Sequence, residues 1–100
     1  VDATKARDAL RTVLDRWKDG AKPDDLPKGT PPITVQDFDW LKGHSLVSYE
    51  LDNEGAFDDA NLRVPVTLSL KDSTGRAWQQ KVSYVVGTSP SITVFREMGP

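Results

Sequence analysis

The sequence predicts an α+β domain in which one N-terminal helix packs across one face of a curled antiparallel sheet of four to five strands. Three observations carry this. Residues 61–71 (Asn-Leu-Arg-Val-Pro-Val-Thr-Leu-Ser-Leu-Lys) alternate apolar and polar without a break. Successive side chains of a strand point to opposite faces, so Leu62, Val64, Val66, Leu68 and Leu70 share one face. The opposite face is polar, the mark of a sheet covered on one side only. Residues 3–17 instead carry apolar side chains at helical spacing, which supplies one helix for the one apolar sheet face.

In chain order, Ala3, Ala6, Ala9, Leu10, Val13, Leu14 and Trp17 form the apolar stripe of a helix over about 3–19. Asp2 is placed to cap its N-terminus, and Gly20 followed by Lys22-Pro23 stops it. On its other side Asp8, Arg11, Asp15 and Lys18 provide a solvated charged surface. Residues 20–32 hold four prolines and read as a loop crossing the sheet edge, with one helical turn at Asp24-Asp25-Leu26. Strands then run from about 33 to 96. Ile33 to Phe38 alternates, as does Leu46 to Leu51 through Val47, Tyr49 and Leu51, after a turn at Lys42-Gly43-His44. Residues 52–60 read as a polar connection. The long strand from Asn61 turns at Asp72-Ser73-Thr74-Gly75 and returns through Ala77–Val86 as a hairpin. Gly87-Thr88-Ser89-Pro90 breaks the chain before a last strand ending at Arg96-Glu97. Pro65 lacks an N–H for a ladder hydrogen bond, so it predicts a sheet edge or a bulge at that position.

Composition narrows the function classes. One hundred residues, 37% hydrophobic and 28% charged, make one domain spanning 1–100 with one core. A net charge of −2 offers no basic face to a nucleic acid. The chain has no cysteine, hence no disulfide, thiolate metal site or thiol nucleophile. No apolar run reaches the ~18 residues of a membrane-spanning helix. The chain starts at Val1 rather than Met, which leads us to expect an exported protein, periplasmic or held by a lipid anchor upstream, with a cytoplasmic one as the alternative.

Candidate chemistry is sparse. In Asp37-Phe38-Asp39-Trp40, strand alternation would put both carboxylates on one side, with His44 near enough to complete an acid/base group. His44 is the only histidine, and one His with two Asp lacks a metal-ligand spacing. As a general base His44 would need Asp37 or Asp39 to orient it. The acidic residues Asp52, Glu54, Asp58 and Asp59 depart from the calcium-loop pattern. Gly87 to Ser91 lacks the lysine and helix of a phosphate loop, and Ser89 and Ser91 lack a Gly-x-Ser-x-Gly context. No cofactor and no metal are expected, and an enzyme is not the favoured reading.

The element order resembles the cystatin-like and NTF2-like α+β roll. In roll enzymes a cone between helices and sheet holds Tyr, Asp or His for proton transfer, which the resemblance transfers to Asp39, Tyr49 and Tyr84, with Trp17 on the helix wall. One helix closes such a cone only partly. Gln80-Lys81-Val82-Ser83-Tyr84 is similar to the Gln-x-Val-x-Gly segment of cystatin inhibitors, but it ends in Tyr, lies in a strand and has no Pro-Trp loop after it. The segments Asp37–Trp40 and Val86–Arg96 also resemble those of small exported or lipid-anchored bacterial proteins. The expected function is therefore a non-catalytic domain that binds a protein partner or forms a homodimer through the polar sheet face at Arg63, Thr67, Ser69 and Lys71. The alternative is a small-ligand binder or minimal enzyme with its pocket between helix and sheet.

Overall fold

Helix α1 spans Ala3–Lys18 and begins as its sequence dictates: the Asp2 carboxylate accepts a hydrogen bond from the Lys5 N–H at 3.0 Å, satisfying one of the free donors of the first turn. Gly20, at φ +94°, closes the other end in a backbone region that favours glycine. The computed structural model describes residues 1–97. After α1 come a 3-10 turn at Pro23–Lys28, strand β1 at Ile33–Gln36, a short helix α2 at Phe38–Leu41, β2 at Ser45–Leu51, β3 at Ala56–Asp58, β4 at Asn61–Lys71, β5 at Ala77–Gly87 and β6 at Ile92–Arg96.

The strands form one strongly curled sheet in the order β1-β6-β5-β4-β2, with β3 also paired to β4. The fold is α+β as expected, but the sheet is mixed rather than purely antiparallel, because β1 runs parallel to β6 with Ile33 beside Ile92 and Val35 beside Val94. The last strand returns to the first only after the whole meander of β2 to β5, and side-chain alternation looks the same for either direction of pairing. The strand expected from Ile33 through Phe38 stops at Gln36, since Asp37 caps α2. The connection at 52–60 contains a sixth strand, β3.

Two irregularities interrupt the pairing along β4. A register shift between Leu46 and Ser48 in the β2–β4 pair leaves Val47 51% exposed, so the side chains facing the core from β2 are Leu46, Tyr49 and Leu51, not the expected set Val47, Tyr49 and Leu51. Further along, β2 and β3 line the same side of β4 and are interrupted between Asp52 and Gly55. Pro65 O accepts from Asp52 N–H at 2.9 Å, so the position where Pro65 lacks a donor faces this interruption. Gly55 fits there at φ +88° because a Cβ would lie 2.6 Å from Arg63 O.

The core lies between α1 and the concave sheet face. Leu10, Val13 and Leu14 of α1 and Val64, Val66 and Leu68 of β4 are at most 1% exposed, so the space between helix and sheet is filled by aliphatic side chains.

Candidate functional site: a buried carboxylate cluster beneath His44

The segments at 37–44 and 84–96 meet at a cluster of ionisable groups inside the protein. Asp37 follows β1 and caps α2, its Oδ1 accepting from Asp39 N–H at 2.9 Å and Trp40 N–H at 3.2 Å. Its Oδ2 accepts from the Tyr84 hydroxyl at 2.5 Å. Arg96 projects to the same place from β6, where Ile92, Val94 and Arg96 all face inward. Its Nη1 donates to Asp37 Oδ1 at 3.1 Å and lies 2.9 Å from Asp39 Oδ2. The Asp39 contact is ionic and lacks hydrogen-bond alignment, so Asp39 Oδ2 is the one buried side-chain oxygen without a hydrogen-bond donor among the described residues. The Phe38 ring covers the guanidinium 4.4 Å away.

On the solvent side Asp39 Oδ1 lies 2.9 Å from His44 Nδ1. With a carboxylate as partner, Nδ1 carries the proton, which leaves Nε2 as the acceptor in the neutral imidazole. The turn holding His44 is pinned from α1: Trp17 Nε1–H donates to His44 O at 2.9 Å, and Trp17 stacks on Trp40 with centroids 5.3 Å apart. Trp40 Nε1–H donates to Ala21 O at 2.9 Å. These groups wall a cleft of about 370 Å³, lined by Trp17, Ala21, Pro23, Trp40, Leu41 and His44 among others. The arrangement can orient an imidazole through a buried carboxylate. Ser45 also lines the cleft, and among the described residues no three His, Asp or Glu side chains group to hold a metal.

The four residues singled out from the sequence thus go to different places. Asp39 and Tyr84 enter the cluster, where Tyr84 is 1% exposed. Trp17 lines the cleft, stacked on Trp40. Tyr49 lies on the other flank of α1, its hydroxyl donating to Asp15 Oδ1 at 2.7 Å. Arg96 was missed as a site residue, although a charged residue in phase with Ile92 and Val94 on a buried face is itself a signal of a buried partner.

Both tyrosines are held neutral. Burial, then the Asp15 carboxylate, push Tyr49 up to about 12 from 10.0. Burial and the charge of Asp37 raise Tyr84 well above its ordinary value. A folded-state pKa above the unfolded one stabilises the neutral form, so this contribution is complete below pH 10 and is lost as pH rises through 12. Absorbance at 295 nm is expected to show almost no tyrosinate in the folded protein near pH 10, against about half ionisation at the same pH in urea. A tyrosine ionising normally in the folded chain would contradict both placements.

No protein-family profile matches the chain, and no curated protein or solved structure matches it. The fold and the cluster therefore carry the functional argument. They define a small α+β domain with a filled core, a curled mixed sheet and a carboxylate-oriented histidine at its surface.

Proposed function

We propose that this chain is a non-catalytic interaction domain, working by self-association or by binding a protein partner, in an exported bacterial protein related to the cystatin-like and NTF2-like rolls. The observation that carries the reading is the filled space between α1 and the sheet: where a roll enzyme keeps its pocket, Leu10, Leu14, Val66 and Leu68 are in contact with the core and closed to solvent. The helix laid on a curled sheet supports the kinship. The setting in an exported protein is supported by the segment resemblance, and a cysteine-free chain has no thiols to mispair in an oxidising compartment. No helix among the described residues is long and apolar enough to cross a membrane.

A second reading, a small-ligand binder, is favoured by one observation, the Asp39-oriented His44 at the wall of the 370 Å³ cleft. Cross-linking of the full-length protein in its own cells separates the two. The interaction reading expects a cross-link to itself or to one recurrent protein. Finding neither, together with chemical shifts at Trp17, Trp40 and His44 that saturate with a small metabolite, would overturn it in favour of the second.

A further inference from the structure

We propose that the chain forms a twofold-symmetric dimer in which the outer edge of β2 pairs antiparallel with β2 of a second copy while the two α1 helices lie side by side. This rests on the interaction reading and names its partner. On the polar sheet face Arg63 binds Asp58 and Glu97, Thr67 donates to Asp52 and Gln79 donates to Ser69, so those side chains would give up existing bonds to make the contact. The β2 edge is different.

β2 ends the sheet, pairing with β4 on one side. Among the described residues no strand covers its other side. Residues alternate in the direction of their main-chain groups, and Asp52 N–H bonds to Pro65 O, so Glu50 and Ser48, opposite Thr67 and Ser69, also turn theirs toward β4. Tyr49 and Leu51 therefore direct N–H and C=O outward. Above this edge, the flank of α1 and β2 bound a cleft of about 470 Å³ lined by Arg11, Asp15, Lys18, Ser48, Tyr49 and Glu50 among others.

The helix flank is self-complementary in charge. Asp8, Arg11, Asp15 and Lys18 follow one another at steps of three and four residues, which keeps them on one side of the helix with alternating sign. A twofold axis perpendicular to the sheet reverses the second helix. Asp8 then faces Lys18 of the second copy and Arg11 faces its Asp15, both pairs being centred on residue 13. The strand supports one register as well. Pairing centred on Tyr49 sets Glu50 against Ser48 of the second copy, whereas centring on Glu50 would oppose two carboxylates. The bulge that exposes Val47 shortens the usable edge, so the helix charges fix the register and the dimer weakens with salt.

The test is sedimentation and light scattering of the whole chain up to millimolar concentration, with amide exchange read at Tyr49 and Leu51. The expected result is a dimer whose Tyr49 and Leu51 amides slow as it forms. Lys18→Glu should weaken it by about tenfold, since symmetry applies each change twice, and adding Asp8→Lys to Lys18→Glu should restore it. Both sites are exposed, and unchanged melting of the variants excludes misfolding. A dimer with fast exchange at both amides and no response to Lys18→Glu would overturn the edge pairing while leaving the interaction reading intact. A monomer at all concentrations would overturn the homodimer, and the cross-linking experiment would then decide whether any partner exists.

Discussion

Replacing Arg96 with methionine is expected to destabilise the protein by about 3–5 kcal/mol, the usual consequence of stripping a buried ion pair of one partner. The Arg96 side chain is 2% exposed and stands between the carboxylates of Asp37 and Asp39, themselves 1% and 7% exposed. Without it two acids share a buried space with only the Tyr84 hydroxyl, backbone amides and His44 to offset them. A domain of this size has a total stability of only about 5–15 kcal/mol, so the variant is expected to lose most of its urea resistance at neutral pH. Asp39→Asn in the same chain should recover part of the loss, because it removes one of the stranded charges and leaves the Asp37 cap in place. A loss below about 1 kcal/mol, the range of exposed pairs, would mean that water reaches the cluster and that it is not the buried anchor described above.

Leu14→Ala should cost about 2–5 kcal/mol, the range for emptying a core site that cannot collapse. Leu14 is 0% exposed and wedged between α1 and the sheet. The variant also tests the functional argument. If the space between helix and sheet is filled, the parent chain takes up no benzene or xenon there, and the variant, with a dry apolar void, does. Uptake by the parent would show a cavity and undermine the interaction reading. As a control, Leu41→Ala, at a site 69% exposed, is expected to change stability by no more than about 0.5 kcal/mol.

The fold class was legible because periodicity is local. The stripe from Ala3 to Trp17 and the alternation from Leu62 to Leu70 each state which face is apolar, and a helix with one such stripe and a sheet with one such face can bury both only against each other. Caps and turns were legible for the same reason: Asp2, Gly20 and the Asp72–Gly75 turn act on neighbours within a few residues. Strand direction was not, since β1 is placed beside β6 by a pairing almost sixty residues away, and neither strand's alternation records which way its partner runs. Strand β3 escaped notice because a short polar stretch reads the same whether it pairs or loops, and the bulge because the adjacent apolar residues Leu46 and Val47 fit either phase of the alternation.

At the site, local pattern showed the chemical types on offer: an Asp-x-Asp next to the only histidine, and Arg96 in phase with the apolar residues Ile92 and Val94. What they do together depends on contacts between distant segments. Asp37 became a helix cap instead of a strand residue, which turned Asp39 toward His44 on one oxygen and Arg96 on the other, while α1 took Tyr49 away to Asp15. The physical reason is that a buried charge must find its counterpart wherever the chain brings one, and the counterpart of Asp37 lies fifty-nine residues downstream, beyond the reach of any local pattern.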